Sequence, residues 1–500
     1  MATSAAGRIE TLTEARADRS FFGHPRGLST LFFTEMWERF SYYGMRALLI
    51  LFMTAPLAAG GLGFDTVSAG AIYGLYTSMV YMATLPGGWV ADRLIGQRRA
   101  VLYGGILIAS GHFSMAFPSL ATFYLGLCLI VVGTGLLKGN VSVIVGQLYA
   151  ADDERRDAGF SIFYMGINLG AFIAPLVCGY LGQRVNWHLG FAAAGVGMVI
   201  GVVQYVAGGK RLGSAGLHPA SSTEAATLRK RASFWSIVAI VGLIAFGLAA
   251  YAGVIEVTAK QIADAAGYML LLLCVVLFGW LFLASTWTPE ERTCLYVIGV
   301  LFVAAALFWS LFEQAGSTLN LFADRNTRTS VLGLSFPSTF FQALNSAFIW
   351  MFAPVLAWVW IALGRRQPST IVKFALGEIL VGAGFGVLVL AAAIASSGVQ
   401  VSPMWLAVTY LLHTFGELCL SPVGLSAMTK LAPARIAGLI MGVWFLATSV
   451  GNFIAGRLAG FYESMPLQQL FGVIALFGVG AGVVLLALAR PIQRLTPRAR

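Results

Sequence analysis

Glu35-Met36-Trp37-Glu38-Arg39-Phe40-Ser41-Tyr42-Tyr43 sets three charges inside a run, residues 28–54, that otherwise reads as an apolar membrane-crossing helix. A charged side chain near the middle of a bilayer costs roughly 2.5–3.5 kcal/mol by insertion scales, so it persists where it faces a wet cavity and serves a function. At about 100° per residue, positions 35, 38, 39, 42, 43 and 46 fall on one helical face. The charges, the two tyrosines and Arg46 therefore point into one shared space. A purely architectural ion pair is the competing reading, and the rest of the chain argues against it.

Composition fixes the class. Of 500 residues, 58% are hydrophobic and 11% charged, with a mean hydropathy of +0.81, whereas soluble proteins carry about 25% charged residues. A span needs about 20 largely apolar residues, and fourteen such segments lie between residues 28 and 489. The expected fold is an all-α polytopic membrane protein. Residues 1–27 are polar and lack an apolar core with a cleavage site, so they read as a cytoplasmic tail and not a signal peptide.

Orientation follows from the 32 Lys and Arg residues. With the amino terminus inside, cytoplasmic segments hold 24, outer loops hold four, and Arg39, Arg46, Lys138 and Arg457 lie within spans. That bias fits the positive-inside rule with both termini cytoplasmic. The net charge of +11 is thus mostly topology, and no folded soluble module for nucleic acid is present. The five cysteines fall within spans or at their edges, and the five histidines are scattered, so neither a disulfide framework nor a metal site is expected.

The organisation reads as two halves joined by an insertion: a tail at 1–27, six spans at 28–207, a cytoplasmic linker at 208–232, two inserted spans at 233–285 without intramembrane charge, six spans at 286–490, and a tail at 491–500. Gly96-Gln97-Arg98-Arg99 between spans two and three is echoed by Gly364-Arg365-Arg366 in the second half. Such 6 + 6 symmetry is the layout of the major facilitator fold, with a binding cavity between halves at the midplane. Asp92, beside arginines in that first loop, is expected to latch the cytoplasmic helix ends.

The other intramembrane polar groups converge on this picture. Lys138, in the glycine-rich Gly133-Thr134-Gly135-Leu136-Leu137-Lys138-Gly139-Asn140, needs water or a carboxylate such as Glu35 or Glu38. Glu313 and Glu417 are lone carboxylates in apolar helices of the second half. Burial favours the neutral acid and a nearby cation favours the anion, so making or breaking one pair can load or release a proton. For Glu417 the structural alternative is a hydrogen-bonded carboxyl that supports the helix around Pro422.

At these residues the chain becomes specific. Glu35 to Tyr43 resembles the E-x-x-E-R-F-x-Y-Y signature of the bacterial proton-dependent oligopeptide transporter (POT/PTR) family of the major facilitator superfamily, and Phe163-Tyr164-Met165-Gly166-Ile167-Asn168-Leu169-Gly170 resembles its F-Y-x-x-I-N-x-G signature. The resemblance continues through Trp309 to Gly316, Phe341 to Asn345, Glu417 to Pro422 and Met441 to Trp444. The two inserted helices also match bacterial members. One departure is the second span, 66–91, which has no histidine where animal relatives carry a functional one; the coupling is then left to carboxylates. A second is Thr448, where a serine is common.

The resemblance implies a secondary active transporter, not an enzyme: a symporter in the inner (plasma) membrane that imports di- and tripeptides by alternating access. Protons are the coupling ion, no cofactor is needed, and the expected state is a monomer in the bilayer. A free peptide is a zwitterion, so Arg46 and Lys138 would take its carboxylate, and Glu417 with Asn168 and Asn345 its ammonium. Tyr42, Tyr43, Tyr81, Trp309 and Trp444 would line side-chain pockets. Glu35, Glu38, Arg39, Lys138 and Glu313 would couple transport to protons, and an Arg46–Glu313 salt bridge would gate the outer side. The same fold carrying another small solute, such as nitrate, a drug or a peptide-like compound, is the alternative. An intramembrane enzyme is disfavoured because no Ser/His/Asp set, paired aspartates or metal motif lies within the spans.

Overall fold

The computed structural model of the chain describes residues 18–150, 152–219, 232, 258–283 and 287–495. Thirteen of the fourteen expected segments are helical, and the other, 233–254, lies outside the described residues. In order the helices are α1 (Gly27–Thr54), α2 (Thr66–Met82), α3 (Thr84–Val90), α4 (Gln97–Met115), α5 (Leu120–Gln147), α6 (Arg156–Tyr180), α7 (Trp187–Gly208), α8 (Ala259–Leu283) and α9 (Pro289–Phe312). They continue with α10 (Thr318–Arg325), α11 (Ala343–Leu363), α12 (Thr370–Ala395), α13 (Met404–Leu431), α14 (Ala437–Ala459) and α15 (Leu467–Leu495). A two-residue-per-strand hairpin, Ser330–Val331 with Leu334–Ser335, departs from the all-helical pattern. Among the described residues, ten helices are long and apolar enough to cross a membrane. The protein is a multi-pass membrane protein.

Two compact units divide the chain: residues 1–42, 82–170 and 191–262 form one, and 43–81, 171–190 and 263–500 the other. In the first, α4 and α5 pack along their lengths around a core that includes Leu28, Leu31, Leu137, Val141 and Met198. Here α6 lies against α1 through Gly166 and Gly170. A Cβ on Gly170 would stand 2.1 Å from the Met36 carbonyl oxygen, and one on Gly166 would be 2.9 Å from the Phe32 ring. The two signature motifs are thus one packing joint, in which small residues four apart let two backbones touch.

The expected free linker is folded where it is described. Residues 209–212 form a 3₁₀ turn with Leu212 buried, and the Gly216 N–H donates to Gln147 Oε1 at 2.7 Å. Arg98 donates from Nε to the Ala215 carbonyl at 2.6 Å and from Nη2 to that of Gly213. Asp92 consequently latches no arginine; it accepts from Gln97 Nε2 at 2.7 Å. The guanidinium of Arg98, with five donors in a fixed fork, is well suited to two neighbouring carbonyls. Residues 220–231 lie outside the described residues. The amino-terminal segment is also fastened: Arg155 donates to the carbonyls of Asp18 and Gly23 at 3.1 and 3.2 Å, and His24 Nδ1 lies 3.0 Å from the Tyr149 hydroxyl.

In the second unit, α12 packs against α13 and α15, and α9 against α14. Parts of α1, α2 and α6 join them: Ser78 and Ser449 hydroxyls meet at 2.7 Å, Asn320 Nδ2 donates to the Ala47 carbonyl at 2.8 Å, and Gln183 reaches Asp324, Ser338 and Thr339. The inserted helix α8 starts earlier than expected and does carry a charge, because Asp264 pairs with Arg457 of α14. The ninth expected segment, 292–316, is not one continuous α-helix either. It tightens into a 3₁₀ turn at Glu313–Gly316 before α10.

Candidate functional site

Each unit holds one cluster of the residues singled out from sequence. In the first, Glu35, Glu38 and Arg39 of α1 are all at most 3% exposed. Arg39 Nε lies 3.2 Å from Glu35 Oε1 one turn away, donates to Glu38 Oε2, and its guanidinium sits 5.3 Å from the Tyr42 ring centre. One arginine thus serves two carboxylates. The charge of Lys138, half-buried on α5, bears on Glu35 as well, so two basic side chains and two carboxyls belong to this set. Asn168 is buried on α6, with Nδ2 donating to the Tyr164 carbonyl at 3.1 Å.

In the second unit, Arg46 and Glu313 are buried and meet at 2.7 Å from Nη2 to Oε2, the contact anticipated from the sequence. Arg46 Nε also donates to the Tyr73 hydroxyl at 2.8 Å, and the guanidinium lies 5.7 Å from the Tyr43 ring centre. Gly316 makes this possible: a Cβ there would stand 1.9 Å from the Tyr73 hydroxyl and 2.7 Å from Arg46 Nε. The tightened turn at 313–316 thus brings backbone, carboxylate and guanidinium together at a point where no side chain fits.

Glu417 accepts from Asn345 Nδ2 at 3.0 Å, and Asn345 also donates to the Thr414 hydroxyl at 3.1 Å. The charges of Arg46 and Glu313 bear on Glu417 too, so this cluster gathers one cation and two carboxyls. Trp309 and Trp444 are nearly buried, Trp309 against Gly451 and Trp444 over Gly424. The Trp444 ring packs against the neighbouring helix, while the Trp309 ring meets Phe308 and Phe312 of its own helix. Tyr81 belongs to this unit and is half-buried.

Sequence reasoning missed three groups. Tyr73 is one, since nothing in its own stretch marks it as the partner of Arg46. Asp264 is another, because the inserted spans read from the sequence as free of intramembrane charge. The third is Glu378 on α12, fully buried and in no ion pair among the described residues. The signal for Glu378 was present, because it is a lone carboxylate in an apolar span like Glu313 and Glu417.

Buried ion pairs on helices that cross a membrane, with irregular backbone at a buried charge, define a class of membrane transporters built around charges that change partners. Residues 98–475 match the POT family. The peptide transporter YePEPT of Yersinia enterocolitica subsp. palearctica serotype O:3 (strain YE-P4) is 43% identical over 97% of this chain and 98% of its own length. A di-/tripeptide transporter of Lactococcus lactis subsp. cremoris is 38% identical over 96% and 98%. A crystal structure of a peptide transporter POT in complex with sulfate aligns with a TM-score of 0.90 at 44% identity, covering 97% of this chain and 99% of that one. A POT family transporter in complex with a thioalcohol-conjugated peptide aligns at 0.89 and 34% identity, covering 97% and 99%. The chain belongs to the POT family: it has the major facilitator fold and is a transporter, not an enzyme.

Proposed function

We propose that this protein imports di- and tripeptides in symport with protons by alternating access, as a monomer in the inner membrane with both termini cytoplasmic. The observation that carries the reading is the Arg46–Glu313 pair with Glu417 in electrostatic reach. A zwitterionic peptide needs a cation for one end and a carboxylate for the other. Glu417, steadied by Asn345, holds the ammonium, and Arg46 receives the carboxylate once Glu313 is protonated and releases it. Proton and peptide then enter together, because each helps to free the group that the other needs. Glu35, Glu38, Arg39 and Lys138 form the second proton-sensitive set, where a proton on one carboxyl lets Arg39 and Lys138 redistribute between the two. The names of the relatives support the substrate class, and the lysine and arginine bias supports the orientation. Labelled dialanine uptake into proteoliposomes, with and without an inward proton gradient and in competition with tripeptides, single amino acids and nitrate, tests the reading. Gradient-driven uptake blocked by tripeptides alone is the expected result. Competition by nitrate with none by tripeptides would move the assignment to another small solute.

A further inference from the structure

Lys373 is a buried cation that meets no carboxylate among the described residues. It sits one turn into α12, is 9% exposed, and forms no ion pair among the described residues. Its Nζ donates to Gln367 Oε1 at 3.0 Å and lies 4.6 Å from the centre of the Trp360 ring. The other charged side chain that bears on it is Lys430, of the same sign. An amide and an aromatic face offset only part of the cost of burying an ammonium, and a neighbouring cation adds to it.

An open pocket of about 510 Å³ is lined by Trp360, Ile361, Gly364 and Gln367, and two of these, Trp360 and Gln367, are the residues that meet this lysine. Gln367 is thus shared between the cavity wall and the lysine. The turn that carries it, Gly364-Arg365-Arg366-Gln367-Pro368-Ser369, adds two arginines and no acid. Arg366 is exposed. The helix that supplies Trp360 and Ile361 continues away from the pocket as an apolar face. Along α11, Met351, Val355, Trp358 and Ile361 are 61%, 51%, 67% and 79% exposed, and this is among the least buried of the candidate spans at 11%. An anionic head beside cations at the helix end, continuous with an apolar helix face running into the bilayer, is the shape of a phospholipid.

We propose that the α11–α12 turn binds the headgroup of an anionic phospholipid. The phosphate sits in the cavity beside Gln367 where it neutralises Lys373 and Arg366, Trp360 stands at the headgroup level, and the acyl chains lie along the exposed face of α11. Native mass spectrometry of the full chain, released from detergent containing phosphatidylglycerol or phosphatidylcholine, tests this. The wild type should retain one phosphatidylglycerol in preference to phosphatidylcholine. Lys373→Met and Arg366→Gln should each lower that occupancy about fivefold, the scale expected for losing one cation near a membrane surface, while phosphatidylcholine adducts stay the same. Unchanged occupancy in Lys373→Met overturns the proposal; should that variant not fold, the exposed Arg366→Gln decides it in the same way. Displacement of the lipid by inorganic phosphate at equal concentration would also overturn it, by showing a site for a free anion with no use for the acyl chains.

Discussion

Replacing Glu313 with Gln removes one charge of the Arg46 pair and keeps the size of the side chain. With the charges 2.7 Å apart and both side chains buried, an effective dielectric constant of about 20 gives an attraction of about 6 kcal/mol. Desolvation of both ions offsets part of this, and removing one partner of a buried pair costs about 3–5 kcal/mol. Arg46 retains the Tyr73 hydroxyl and the Tyr43 ring, so the low end applies. A bias of about 3 kcal/mol corresponds to roughly a 100-fold change in the ratio of two states. If the pair holds its end of the transporter shut, Glu313→Gln mimics the protonated form, shifts the population open by about that factor, and uncouples transport from pH. Spin labels on cysteines placed at Leu57 and Leu332, both exposed and both in the unit that holds the pair, read the opening after the exposed Cys128 is replaced. Measurements at about pH 4 and about pH 8 lie on either side of the ordinary glutamate value of about 4.3. The wild-type distance should be short at the higher pH and lengthen at the lower, while the variant should be long at both. An equal pH response in wild type and Glu313→Gln would refute the reasoning and leave the coupling to Glu35 and Glu38.

Glu38→Gln should abolish uptake driven by a proton gradient and spare counterflow, which exchanges substrate without net proton movement; gradient-driven accumulation at the wild-type rate would remove Glu38 from the coupling. Gly316→Ala should fold yet lose most uptake, because the new methyl displaces the Tyr73 hydroxyl and Arg46 from each other, and uptake assays on normally inserted protein check it. Deleting 213–217 should lower the thermal stability of the transporter and not leave it intact, since Arg98 and Gln147 lose partners that only those residues supply; an unchanged melting temperature would show the segment to be dispensable. Asp65 caps α2, accepting from the Ser68 N–H and hydroxyl at 2.8 Å each, and the Ser68 backbone bond holds its carboxyl below the usual range, with burial opposing. A lowered folded-state pKa gives stability that is complete above the unfolded carboxyl's value of about 3.9 and is lost as the pH falls through the folded one. Asp65→Ala should therefore cost about 0.5–1 kcal/mol near neutral pH, the low end of a helix cap because the group is exposed. That difference should fade in melts taken at pH values below the lowered pKa.

The sequence by itself determined what depends on local composition and period. Apolar runs of about 20 residues placed thirteen segments that are helical in the structure, since a single segment in a bilayer satisfies its backbone internally only as a helix. The cost of charge in such runs marked Glu35, Glu38, Arg39, Arg46, Lys138, Glu313 and Glu417. What the sequence could not decide is which of these meet. Helical periodicity put Arg46 on one face with Glu35, Glu38 and Arg39, yet Arg39 takes both glutamates of its own helix while Arg46 turns to Glu313, 267 positions along the chain, and to Tyr73. Whether 208–219 would be free or fastened was equally undecided, because a Gly- and Ser-rich composition describes a linker and a backbone-bonded cap alike. Arg98 settles it through carbonyls that carry no mark in the sequence. Pairing between distant segments depends on where backbones can approach, as at Gly170 and Gly316, and that distance exists only once the helices have packed.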